Sequence, residues 1–291
     1  MLAPLLIALT LTGQALPVAT PVASPAARPL SREQMEHFLA TAKVVGHHGI
    51  NKGITNPIRL TLSDGAITHD AAFTYVNEHR SVMQLESGRT ELNFVDSYKY
   101  SLAAYDVAKL LALDGMMPVT VPYQYDSTPG ALSWWVDVKM DEGERVKKKI
   151  EAPDENAWGE QVYRMRVFSA LIADTDRNAG NILIGPDWKL WMIDFTRAFR
   201  TWKNLEKPEL LTRCDKRLLG RLRILTADAI VKQTTTCSRP RKSTPCSRAA
   251  TRSSSDSTSS SRRRASGKSC TDGCGLTVAD CFPYSLFPIP Y

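Results

Sequence analysis

At 291 residues, 43% hydrophobic and 23% charged, the chain is long enough to bury a core and too polar on average to be an integral membrane protein. Its net charge of +7 is unevenly placed: residues 235–291 hold nine Lys and Arg against three Asp, which puts +6 there and leaves the remainder near +1. A body so close to neutral has no field to draw it to DNA or RNA, and nucleic acid is excluded as a partner class.

The amino end, residues 1–27, is expected to be a signal peptide or a disordered leader. Met1 to Leu16 has the length of a signal-peptide apolar core and is too short to span a bilayer, and the small residues from Val18 to Ala27 suit a signal peptidase. No transmembrane helix is expected. The chain is read as exported or in the secretory pathway, with a cytoplasmic location as the alternative. The carboxyl end, residues 234–291, is read as a disordered Ser- and Arg-rich tail, with Ser253-Ser254-Ser255 and Arg262-Arg263-Arg264. A frameshift replacing the native end would explain why the helical pattern of Thr226 to Val231 breaks off so soon. Five of the six cysteines also lie there, but no His follows Cys237 to complete zinc spacing.

Between these ends the pattern is a sheet lobe over residues 28–140 and a helical lobe over 141–233. Ser31 to Val44 places Met35, Phe38, Leu39 and Ala42 at helical spacing behind a Ser-x-x-Gln box. Gly46 to Gly53 reads as a loop. Ile58 to Leu62 and Ala71 to Val76 alternate around Ser63-Asp64-Gly65, the pattern of an antiparallel hairpin. Asp96 to Leu113 is a strong helix, followed by strands at Pro118 to Tyr123 and Leu132 to Asp137. In the second lobe Asn156 to Ala173 carries one apolar stripe of Trp158, Val162, Met165, Phe168, Leu171 and Ile172. A polar loop, Asp174-Thr175-Asp176-Arg177-Asn178-Ala179-Gly180-Asn181, then runs into Ile182-Leu183-Ile184. After Pro186-Asp187 the chain returns as Leu190-Trp191-Met192-Ile193 and ends on Asp194.

Phosphoryl transfer needs one carboxylate to orient an attacking hydroxyl and hard oxygen ligands to hold a metal on the phosphates. Asp176 and Asn181 stand five apart, as in D-x-x-x-x-N, and Asp194 closes the hairpin, which folds the loop back over its own end. The plainer alternative is a structural loop in which Asp174 or Asp176 caps a turn, Asn181 bonds to backbone and Asp194 pairs with Arg197.

Asp176-Arg177-Asn178-Ala179-Gly180-Asn181 with Ile193-Asp194 resembles the D-R-H-x-x-N and I-D motifs of the atypical kinase group, which includes the phosphatidylinositol 3- and 4-kinases, HipA-type kinases and Golgi secretory-pathway kinases. Over residues 43–232 the resemblance implies an α+β, two-lobed protein-kinase-like fold: a small antiparallel sheet lobe and a mostly helical lobe. It also implies ATP with Mg²⁺ or Mn²⁺, Asp176 as the catalytic carboxylate, Asn181 and Asp194 as metal ligands, and Trp135, Val136 and Asp137 flanking the adenine. The chain departs from the group in three places. Asn178 stands for the family His, Thr74 is near the place of the strand Lys, and Lys99 and Ser101 stand where a partner Glu belongs. Lys52 is the candidate substitute on the phosphates. The expected activity is transfer to a protein, with lipid the lesser choice. A pseudokinase, or an exported nucleotide- or partner-binding protein without turnover, is the alternative.

Overall fold

The computed structural model describes residues 29–49, 57–85, 88, 90–200, 205 and 208–237. The leader, Lys52 with most of its loop, and the tail beyond Cys237 lie outside the described residues.

The first lobe opens with α1 (Arg32–Thr41), whose Phe38 and Leu39 are buried. The chain then enters β1 (Lys43–Gly49), so Gly46, His47, His48 and Gly49 belong to a strand rather than to the expected loop, and the helix ends before Val44. Their small and polar side chains leave no alternation to read, and pairing with β2 (Ile58–Ser63) decides the conformation. β2 pairs antiparallel with β3 (Thr68–Thr74) around Asp64, whose carboxylate accepts from the Ala66 and Ile67 amides at 2.9 and 2.7 Å.

An unexpected ribbon follows: β4 (Asn77–Gln84) and β5 (Thr90–Ser97) form a two-stranded antiparallel sheet of their own. β5 leads straight into α2 (Tyr98–Leu111), so Asp96 is a strand residue and not the start of the helix. Ser97 caps α2 by accepting from the Lys99 amide, and its hydroxyl donates to Asn77 Oδ1 at 2.7 Å. β6 (Thr120–Tyr125) and β7 (Thr128–Trp134) complete the main sheet, whose spatial order is β1-β2-β3-β7-β6.

Register sets the faces of this sheet. Leu60, Ala71 and Trp134 stand in line, as do Ile58, Phe73 and Leu132, and Val121 faces Leu132. Leu60, Ala71, Phe73, Leu132 and Val121 are buried in one core with Ala104, Val107 and Leu111 of α2, each full-sized side chain contributing about 1.5–3 kcal/mol by burial. The Phe73 ring is so close to β7 that a Cβ at Gly130 would lie 2.5 Å from it. Glycine is the only residue that fits there.

The second lobe begins with β8 (Met140–Asp141) and α3 (Glu142–Lys147), capped by Asp141 through the Glu144 amide at 2.8 Å. α4 (Glu155–Leu171) is capped by Asp154 through the Ala157 amide. β9 (Ile182–Ile184) and β10 (Leu190–Met192) form the expected hairpin, and with β8 they make a three-stranded sheet in the order β10-β9-β8. α5 (Lys216–Ile224) and α6 (Ala227–Cys237) close the described chain, α6 running three residues past the Thr234 at which the helical pattern is expected to stop. One continuous core holds Leu60 and Val107 of the first lobe together with Phe168, Leu190 and Phe195 of the second.

Candidate functional site

The site is built on the return of the β9–β10 hairpin. α4 ends at Leu171, and Ala173 takes a left-handed φ of 47°, which turns the chain into Asp174. The Asp174 side chain is fully buried. Its Oδ1 accepts from the Asp176 amide at 3.1 Å and its Oδ2 from Arg177 Nε at 2.8 Å. Burying a lone carboxylate is costly, and this one has both an ion pair and a backbone donor.

Arg177 does more than neutralise Asp174. Its Nη1 donates to the carbonyls of Asn181 and Ile193 at 2.8 and 2.7 Å, its Nη2 approaches the Asp194 carbonyl at 3.4 Å, and the guanidinium lies 4.2 Å from the centroid of the Phe195 ring. The Ile193 amide donates to the Asn181 carbonyl at 3.1 Å. One side chain therefore ties the start of the loop, its end and the turn after β10 together. Asp194 adopts φ 55°, a conformation that costs a non-glycine residue about 1–2 kcal/mol and is held here by these contacts.

Asp176 is partly exposed, and Asn178 Nδ2 donates to its Oδ1 at 3.0 Å. Asn178 thus bonds the candidate catalytic carboxylate. Asn181 Nδ2 donates to the Asp176 carbonyl at 2.9 Å, and among the described residues nothing donates to its Oδ1. The plainer loop reading was right that Asp174 organises a turn and that Asn181 bonds to backbone. Its remaining element fails: Asp194 accepts from the Thr196 hydroxyl at 2.9 Å, while Arg197 pairs with Glu91 at 2.8 Å.

A second carboxylate, missed in the sequence, joins Asp194. Asp96, at the end of β5, has a buried Oδ1 with no hydrogen-bond partner among the described residues. Burial pushes its carboxyl above the usual range, and the Asp194 charge adds to the effect. Asp194 is itself raised, by burial first and then by the Asp176 charge, with Thr196 and Arg177 opposing. The Thr196 hydroxyl lies against both carboxylates, and the Ser97 amide donates to the Thr196 carbonyl at 2.9 Å, bringing the two segments together. Two carboxylates that resist ionising together, one with an orphaned oxygen, fit a divalent cation, and the free Asn181 amide oxygen is of the right donor class. No cluster of three or more His, Cys, Asp or Glu is present among the described residues. No sequence signal singles out Asp96, which lies 98 residues from Asp194.

The expected adenine-flanking residues lie between β7 and β8. The Trp135 amide donates to the Asp70 carbonyl at 3.0 Å, its carbonyl accepts from His69 Nε2 at 2.9 Å, and Arg59 covers its ring at 4.3 Å. Its backbone is thus engaged by β3, whereas Val136 is half-buried and Asp137 exposed. Within β3, Phe73 is buried and Thr74 half-buried, and the strand has no Lys. Lys52, the proposed substitute, is outside the described residues.

No protein-family model matches the chain, and no curated protein matches it. Solved structures do. The fold is similar to that of the hydra Fam20 structure determined with sugar, at 13% identity and a TM-score of 0.50 over 71% of this chain and 81% of that one. Similarity at 10% identity extends to the Golgi casein kinase, with a TM-score of 0.46 over 72% of this chain and 69% of that one. The Helicobacter pylori proinflammatory kinase CtkA matches at 11% identity and a TM-score of 0.43, over 72% and 88%. The chain has a two-lobed, kinase-like α+β fold.

Proposed function

We propose that the chain is an ATP-dependent phosphotransferase of the atypical kinase type. The observation that carries this is the Arg177-stapled hairpin, which holds Asp176, Asn181 and Asp194 in one unit with Asp96 against its end. In this reading Asp176 accepts the proton of the attacking hydroxyl, oriented by Asn178. Asp194, Asp96 and the Asn181 amide oxygen hold Mg²⁺ or Mn²⁺, which supplies positive charge to the nucleotide phosphates. The base sits against the crossing segment, with Val136 and Asp137 the residues whose backbone remains free of the sheet. A protein hydroxyl is the preferred acceptor over a lipid one, because a body near neutral charge has little attraction for an anionic bilayer. Placement in the secretory pathway rests on the apolar leader of residues 1–27. No described helix is long and apolar enough to cross a membrane.

A specific observation favours a second reading, a pseudokinase that binds nucleotide without turnover: β3 offers Phe73 and Thr74 where a phosphate-binding Lys would stand. Thermal unfolding of the full chain with ATP and Mn²⁺ tests both. A ligand at about 100 times its dissociation constant adds roughly 2.7 kcal/mol. The expected result is a metal-dependent rise lost in Asp194→Ala, with phosphate transfer lost in Asp176→Asn while the rise remains. A rise without transfer in the wild type selects the pseudokinase, and no rise in a folded chain rejects both.

A further inference from the structure

The segment after Asp194 carries two arginines close to the carboxylates that the proposed metal needs. Arg197 and Arg200 are three residues apart, and both reach β5 rather than the hairpin they follow. Arg197 Nη2 donates to Glu91 Oε2 at 2.8 Å, and Arg200 Nε lies 3.2 Å from Glu91 Oε1. The second contact lacks hydrogen-bond alignment, since Glu91 Oε1, Arg197 Nε and Arg200 Nε are all buried without a hydrogen-bond partner among the described residues. It is a Coulombic contact that leaves each guanidinium with a spare buried donor. Arg200 Nη2 is committed to the Val95 carbonyl, and both guanidinium groups lie near the Phe94 ring, at 5.0 and 5.7 Å.

The ribbon is bent to make this possible. In a regular strand Glu91 and Phe94 would face opposite sides. β4–β5 pairing is interrupted at Ser81 and Asn93, where Asn93 takes a left-handed φ of 52°, and Glu91 and Phe94 are both buried against the same two arginines. Glu91 is 8% exposed, an unusual position for an acid that takes no part in the candidate chemistry. Five residues further along the same strand is Asp96, whose orphaned Oδ1 is an acceptor open to a released guanidinium.

We infer that Glu91 is a positioning residue that keeps Arg197 and Arg200 occupied, so that Asp96 and Asp194 remain available to a divalent cation; this rests on the metal-dependent reading above. The charge balance supports it. Asp96 already feels both arginines, and a guanidinium moved onto it would neutralise the carboxylate and fill the place of the cation. Of the two, Arg197 is freer to move, because Arg200 is also tied to Val95. Glu91 then acts by holding a competitor away from the ligands, without touching metal or substrate.

The test is Mn²⁺ binding to the full chain, read from the spectrum of free Mn²⁺ by electron paramagnetic resonance, with the urea unfolding midpoint of each metal-free protein measured alongside. Glu91→Gln is expected to weaken Mn²⁺ binding by about 10- to 100-fold, the range for residues that support metal ligands. Adding Arg197→Gln removes the competitor, and the double variant is expected to recover Mn²⁺ binding while its unfolding midpoint stays lowered. A purely structural Glu91 would let binding and stability fall together and recover neither. Unchanged binding in Glu91→Gln, or a double variant as weak as the single, overturns the inference. If Glu91→Gln does not fold, Arg197→Gln alone decides: unchanged or tighter Mn²⁺ binding supports the inference and weaker binding overturns it. A folded wild type that binds no Mn²⁺ removes the metal-dependent reading itself, an outcome distinct from wild-type binding that is insensitive to Glu91.

Discussion

Arg177 shows how much of the site depends on one side chain. A guanidinium has five donors in a fixed plane, and this one serves a buried carboxylate and three carbonyls from two segments of chain. Arg177→Ala would leave the Asp174 carboxylate buried with only the Asp176 amide beside it. Removing one partner of a buried pair costs about 3–5 kcal/mol, a loss to be read as a lowered urea midpoint of the metal-free chain. Arg177→Lys keeps the charge but cannot reach all four acceptors. Its expected cost is about 1–3 kcal/mol, with a weaker ATP- and Mn²⁺-dependent rise in unfolding temperature as well. An Arg177→Lys variant equal to wild type in both measurements would mean that the ion pair with Asp174 alone matters. At this scale Asp176, Asn181 and Asp194 could be read from spacing because they follow one another along a single hairpin. The service Arg177 gives could not, since an Asp-Arg dipeptide does not say which carbonyls the guanidinium will find. Asp96 and Glu91 were hidden for another reason: their partners lie about 100 residues away.

Elements whose own side chains decide their conformation were legible. α2 and the β9–β10 hairpin follow from periodicity, although α2 starts two residues later than its pattern because Asp96 remains paired with Glu78 in β5. β4 was not legible: seven of its eight residues are exposed, so no alternation marks it, and pairing with β5 alone makes it a strand. α5 lies between these cases. Its Leu218 is buried while Lys216, Arg217, Arg221 and Arg223 are exposed, and its start depends on Asp215, which accepts from the Arg217 and Leu218 amides at 2.9 and 3.0 Å. Arg164 of α4 donates to the same carboxylate at 3.1 Å. The Leu218 amide, with help from Arg164, holds the Asp215 carboxyl below its usual range. A carboxyl depressed in the folded state adds stability that is present above its unfolded pKa and is lost as pH falls through the folded one. Asp215→Ala is therefore expected to cost about 1 kcal/mol at neutral pH, as for other helix caps. The difference between variant and wild type should shrink as the pH of the unfolding experiment is lowered through and below the carboxylate range. A difference independent of pH would mean that the side chain acts through packing rather than as a charged cap.

At the scale of the molecule, the segment 194–200 joins the lobes. Its Thr196 carbonyl takes the Ser97 amide from the first lobe, and its Arg197 carbonyl takes the Thr175 hydroxyl from the second at 3.0 Å. Phe199 does both at once: its amide donates to the Ile172 carbonyl at the end of α4, and its ring packs 5.7 Å from that of Tyr100 in α2. It is 2% exposed and holds φ 58°, a strained backbone that the contacts on both sides maintain. Because the core runs without a break from Leu60 through Phe168 to Leu218, unfolding either lobe exposes apolar surface of the other. The described chain should then unfold in one transition, with the tryptophan fluorescence and far-ultraviolet dichroism midpoints coinciding. Phe199→Ala removes the ring that bridges the lobes and is expected to cost about 3–5 kcal/mol. The informative readout is cooperativity. If Phe199 couples the lobes, the two probes separate in the variant and ATP with Mn²⁺ brings them together again, because a ligand held by both lobes replaces the lost contact. If the variant is merely less stable, the two midpoints fall together and the ligand shifts both equally, which would place the coupling in the remaining core rather than in the segment that carries Asp194.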